Sequence, residues 1–101
     1  MKPVRYHRLA WRELHSEARY YNRKQSGVGL DFLKRVDQAE QRLRSTPLLY
    51  PLFDITPARE CKVERFPHAL YFVELPSEFY IYAVASLQKR PGYWVRRLKK
   101  P

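Results

Sequence analysis

The order of apolar and polar positions divides the chain into a helical half and a strand-forming half. Residues 8 to 24 carry a helical period. Ala10, Leu14, Ala18 and Tyr21 recur at i, i+4, i+8 and i+11 and share one face. Glu13, Glu17, Arg19 and Arg23 fall on the other side. The acids stand toward the start of this segment and Arg23 and Lys24 toward its end, the polarity that suits a helix dipole. Ser26-Gly27 and Gly29 break the pattern, with Gly27 expected just past the helix end. Residues 29 to 45 repeat it with Phe32, Val36, Ala39 and Leu43 on one stripe, until Thr46-Pro47 stops the helix. The short link predicts an antiparallel helical hairpin. Before it, Pro3 biases residues 3 to 6 toward an extended form.

Pro47, Pro51 and Pro57 mark residues 46 to 58 as an irregular connection over the surface. From Arg59 the period changes to 2. Cys61, Val63 and Arg65 alternate with Lys62, Glu64 and Phe66, and Leu70, Phe72 and Glu74 with Tyr71 and Val73. Pro76-Ser77 turns the chain. Phe79 to Leu87 then carries Phe79, Ile81, Ala83, Ala85 and Leu87 on one face and Tyr80, Tyr82 and Val84 on the other. A strand apolar on both faces is central: helices cover one side and something else must cover the other. The order β-α-α-β-β-β predicts an α+β fold. A short N-terminal strand and a helical hairpin would pack on a mainly antiparallel sheet of three to four strands.

A chain of 101 residues allows one domain, taken as residues 1–101. Its longest apolar stretch, Phe79 to Ala85, is seven residues, so no membrane span is expected. The N-terminus has charges every few residues and no apolar h-region, so no secretory signal is expected. The lone Cys61 excludes an internal disulfide framework, and these features together lead to the expectation of a cytoplasmic protein. Charge changes the picture more. Twenty Lys and Arg face ten Asp and Glu, a formal +10 that attracts nucleic acid, acidic protein surfaces or anionic lipid. The last acid is Glu78, and six uncompensated bases follow it: Lys89, Arg90, Arg96, Arg97, Lys99 and Lys100.

Four short patterns, in order along residues 5 to 98, point to a family. Ala10-x-x-Glu13-Leu14 is followed by Tyr20-Tyr21, and Gly27-Val28-Gly29-Leu30-Asp31-Phe32 opens the second helix. Pro47 and Pro51 bracket a loop. Arg65-Phe66-Pro67-His68-Ala69-Leu70-Tyr71-Phe72 precedes Lys89-Arg90-Pro91-x-Tyr93-Trp94. In this combination the chain resembles the RelE/ParE toxin superfamily of bacterial type II toxin–antitoxin modules, closer to the ParE (plasmid stabilisation) branch. The departures are specific. Ser86 stands where members often have histidine, and His68 where they have tyrosine. Ala69 stands where RelE-like ribonucleases carry a catalytic arginine.

The resemblance implies two readings. A ParE-like toxin binds DNA gyrase, poisons it and does no chemistry. Its working surface would be the tail, with Arg90, Tyr93, Trp94, Arg96, Arg97, Lys99 and Lys100 in contact with the target. A RelE-like toxin is an endoribonuclease that cuts mRNA on the ribosome. That reaction needs a base for the 2′-OH, cations for the developing charge and an acid for the leaving oxygen. Lys62, Arg65, His68, Arg90 and Tyr93 are the candidates. Guanidinium forks at Arg65 and Arg90 suit a phosphate, and a histidine titrates near neutrality. The missing arginine and histidine favour the binder; a toxin fold that has lost activity is a third reading.

Plainer roles stand beside these. Arg90 to Trp94 would pack the tail onto the sheet, Arg65 would decorate a solvated face, and His68 would be an ordinary surface histidine in a turn. Cys61 reads as a small buried apolar residue. The tyrosines read as core, with Tyr93 and Trp94 the exceptions. His7 and His15 have no partner at metal-ligand spacing, so neither a metal nor a cofactor is expected. The resemblance also implies an antitoxin partner. Its acidic C-terminal segment would fold across the hairpin and sheet in a hetero-oligomer, with Leu14, Ala18, Tyr21, Phe32 and Val36 as its contacts.

Overall fold

The computed structural model describes residues 2–99. The predicted order is the observed one. Strand β1 (Val4–Tyr6) leads into helices α1 (Arg8–Lys24) and α2 (Val28–Ser45), followed by strands β2 (Arg59–Val63), β3 (His68–Glu74) and β4 (Phe79–Ser86). The strands form one sheet in the order β1-β4-β3-β2. β2, β3 and β4 run antiparallel as a meander, while β1 pairs parallel with β4.

His7 caps α1 with its own side chain, Nδ1 accepting the Leu9 N–H at 3.0 Å. The stripes read from the sequence are the buried faces: Ala10, Leu14 and Ala18 on α1, and Phe32, Val36, Ala39 and Leu43 on α2. They pack on the sheet through Cys61, Val63, Leu70, Phe72 and Ile81. Gly27 has a different place from the expected one. Gln25 ends α1, and Gly27 begins α2 at φ +93°, with its N–H donated to Asn22 Oδ1. Gly29 allows the helices to touch, since a Cβ there would stand 2.5 Å from the Ala18 carbonyl oxygen.

Two features depart from the strand pattern. Tyr71 pairs with Ala83 but Phe72 pairs with Ile81, so Tyr82 is an extra residue in β4. This bulge reverses the alternation. Phe79, Ile81 and Val84 face the helices, whereas Tyr80, Tyr82, Ala83 and Ala85 face away. The predicted grouping of Ala83 and Ala85 with Phe79 and Ile81 is therefore corrected: an unbroken period of 2 does not survive an inserted residue. The unknown cover of the second face is the chain's own tail. Gly92, at φ +78°, turns the backbone so that Trp94 lies over the sheet beside Phe53, and a 3-10 turn (Val95–Lys99) follows. Trp94 is 1% exposed and stacks on Tyr71 with ring centroids 4.3 Å apart. The sheet thus has two cores, one under each face.

Candidate functional site

The face of the sheet turned away from the helices is the surface on which the tail and the predicted cations meet. Lys62, Ala69 and Ala85 lie side by side across β2, β3 and β4, and Glu60, Tyr71 and Ala83 form the next row. The floor is made of alanines, so no guanidinium rises from position 69. Tyr71 is buried beside the Glu60 carboxylate, and burial and that negative charge push its phenol up to about 12. Beside it opens a small cleft of about 140 Å³, bordered by Glu60, Ser86, Lys89, Arg90 and Tyr93.

The predicted catalytic side chains do not converge here. Lys62 and Arg90 are exposed, the latter on the cleft rim. Arg65 sits in the β2–β3 turn in a left-handed conformation, φ +71°. It borders a different hollow, with Asp31, Lys34, Arg35 and Gln38 of α2. His68 is not a surface histidine. It is 2% exposed beneath α1, its ring against Tyr21 and Phe32. Pro67 ends the turn, and His68 pairs with Ser86 as the first residue of β3, so the ladder carries the ring inward. Its Nε2 lies 3.4 Å from Glu17 Oε1, close for an ion pair and long for a hydrogen bond. Burial pushes the imidazole below its ordinary range, and the Glu17 carboxylate offsets only part of that. Glu17, His68, Ser86, Lys89 and Arg23 line an open cleft of about 380 Å³ on the helix side.

The predicted target-binding tail divides into two groups. Arg90, Arg96 and Lys99 are exposed; Lys100 lies outside the described residues. Trp94, Tyr93 and Arg97 are turned inward, which corrects the expectation that they face a partner. The anchor of Tyr93 and Arg97 is Glu13, which the helical period placed on the outer side of α1. Glu13 Oε1 accepts the Val84 N–H at 3.0 Å and Arg97 Nη1 at 3.0 Å. Its Oε2 accepts the Tyr93 hydroxyl at 2.6 Å and Arg97 Nη2 at 2.8 Å. Arg97 Nη1 also donates to the Tyr82 carbonyl at 3.0 Å. The reason is an open edge. β1 pairs only with Phe79 to Ile81, whereas β4 continues to Ser86. Beyond Ile81 a buried N–H and C=O lack a strand partner, and side chains from α1 and the tail replace it. Burial and the bond to Glu13 push the Tyr93 phenol well above its ordinary range. Sequence reasoning missed this cluster. The available signals were a glutamate on the flank beside Leu14 and a first strand much shorter than the last.

The helical hairpin also has a different outer surface from the expected one. Leu14, Ala18, Phe32 and Val36 are core residues facing the sheet, and Tyr21 is half-buried. A partner on the hairpin would meet the open groove of about 460 Å³ between the helices, where His15, Asn22, Leu30 and Leu33 lie. Trp11 and Leu30 stand exposed nearby. Among the described residues no three His, Cys, Asp or Glu side chains come together as a metal site.

No family model matches the chain, and no curated protein matches it. Among solved structures, a chain from the structure described as "Chromosomal ParDE TA system from P. aeruginosa" is similar, with a TM-score of 0.72. The identity is 17% over 85% of this chain and 96% of that one. The likeness is one of fold.

Proposed function

We propose that this chain is the toxin of a bacterial type II toxin–antitoxin pair, of the ParE-like kind that binds DNA gyrase and blocks replication without chemistry of its own. The motif order of the sequence and the fold shared with a chain of a ParDE system support the toxin assignment. One observation carries the choice of binder over nuclease: the candidate catalytic groups are dispersed. Arg65 borders α2, His68 is buried under α1, and Tyr93 is bound to Glu13, so no single phosphate meets them together. A cut at a phosphate needs base, acid and charge stabiliser within reach of one reacting centre.

In this reading Arg90, Arg96 and Lys99 face the target, and Tyr93, Trp94 and Arg97 hold them in place. The antitoxin is a small protein whose acidic, amphipathic segment fills the groove at Leu30 and Leu33 in a cytoplasmic hetero-oligomer. The test is pulse-labelling of DNA and protein synthesis just after expression of the chain without antitoxin. DNA synthesis is expected to stop first, and Lys62→Ala with Arg65→Ala is expected to leave that arrest intact. Arrest of protein synthesis first, abolished by the same two substitutions, would overturn the proposal in favour of ribosome-dependent mRNA cleavage.

A further inference from the structure

The outward face of α1 is a row of arginines, none of which is ion-paired among the described residues. Opposite the buried stripe of Ala10, Leu14 and Ala18, the helix presents Arg8, Arg12, Ser16, Arg19 and Arg23, all exposed. The spacing of 4, 4, 3 and 4 keeps these five on one line. The helix also holds two acids, and the fold removes both from that line. Glu13 is bound by Arg97, Tyr93 and the β4 edge, and Glu17 faces His68. Among the described residues no carboxylate pairs with any of the four arginines; the ion pairs of the chain lie elsewhere. Arg23 shares its cleft with Lys89 and with Glu17, whose carboxylate is turned to His68, and Lys89 and Arg90 extend the cationic line into the β4–tail turn.

We infer that this face of α1 is a docking strip for the phosphate backbone of duplex DNA. It does not depend on the toxin reading. At 1.5 Å per residue, Arg8 to Arg23 spans roughly 23 Å of straight helix, the axial rise of about seven base pairs of duplex. Guanidinium forks match phosphate oxygens, and the helix fixes the spacing at which the arginines leave the backbone. The alternative occupant, an acidic protein segment, needs apolar anchors to stay bound. The strip itself supplies none: its members are arginine and serine, the apolar groove of Leu30 and Leu33 reaches it only at Arg19, and the exposed Tyr20 stands beside it. Recognition by backbone charge alone implies no preference for base sequence.

The measurement is fluorescence anisotropy of a labelled 20-base-pair duplex titrated with the purified chain at several salt concentrations. Micromolar, sequence-independent binding is expected at low salt. Substituting Arg12, Arg19 and Arg23 by Ala should flatten the plot of log affinity against log salt by about 2.7. Between 50 and 200 mM salt the unsubstituted chain would then lose roughly 40-fold more affinity than the variant. The control removes the same charge elsewhere, with Lys34, Lys62 and Arg65 changed to Ala, and should keep the original slope. Absence of duplex binding at 50 mM salt would overturn the inference. So would equal flattening in both variants, because net charge alone would then explain the binding. Capture of a poly-glutamate peptide that the strip variant loses while retaining the duplex would reassign the strip to an acidic protein.

Discussion

Glu13 should be the most sensitive surface-adjacent acid in the protein, and the cost of removing it can be worked from its contacts. Its side chain is 17% exposed and that of Arg97 11%. Glu13→Ala leaves the Arg97 guanidinium largely buried without its carboxylate and takes the acceptor from the Val84 N–H and the Tyr93 hydroxyl. Breaking a fully buried pair costs about 3–5 kcal/mol, and the residual solvent contact here places the loss near the lower end, about 3 kcal/mol. For a domain of this size that lowers Tm by roughly 12 °C or more. Glu13→Gln keeps one acceptor for the Val84 N–H and loses the charge, so about half the cost is expected. The contrast is Glu64, which stands 3.5 Å from Arg35 and 3.7 Å from Arg42 but is 61% exposed. Its removal should change stability by less than about 0.5 kcal/mol. The assay is urea and thermal unfolding followed by circular dichroism, with Arg97→Ala and the double variant closing a cycle. Glu13→Ala melting within about 4 °C of the unsubstituted chain would refute the argument. A coupling to Arg97 below about 0.5 kcal/mol would refute it as well.

Two further outcomes follow from the second core and from the buried histidine. Trp94→Ala should cost about 3–5 kcal/mol through the cavity left over Tyr71, measured by urea unfolding; a change under about 1 kcal/mol would mean the tail is not part of the core. His68 has a folded pKa below its unfolded value of about 6.5, so the stability linked to it is present above that pH and is lost as pH falls through the folded value. Melting temperature recorded from pH 7.5 to 5 should decline with falling pH, and His68→Phe should flatten the decline; an equal slope in both proteins would contradict the burial of a neutral imidazole.

The elements and their order were legible in residue patterns because local periodicity is set by the backbone itself. Ala10, Leu14 and Ala18 repeat at the pitch of a helix, and Phe32, Val36, Ala39 and Leu43 do so again. The change to a period of 2 at Arg59 marks the first residue of β2. That Phe79 to Leu87 needed cover on both faces was also readable, since a strand apolar on both sides is buried on both.

What covers it was not readable, because that depends on contacts between residues distant in the chain. Trp94 meets Tyr71 only after Gly92 reverses the tail, and a cationic, aromatic terminus looks like an exposed binding arm until that turn is known. Tyr82 sits in an uninterrupted apolar run, and its bulge exists only relative to the register of β3. Glu13 lies on the flank of its helix, where one turn of pattern allows either solvent or protein. The open edge of β4 beyond a three-residue β1 settles it inward, together with Arg97 eighty-four residues away. The charges were countable from the start. Their segregation into a bare arginine row and a buried carboxylate anchor arises only when the helix is seated, because electrostatic neutralisation follows distance in space and not position along the chain.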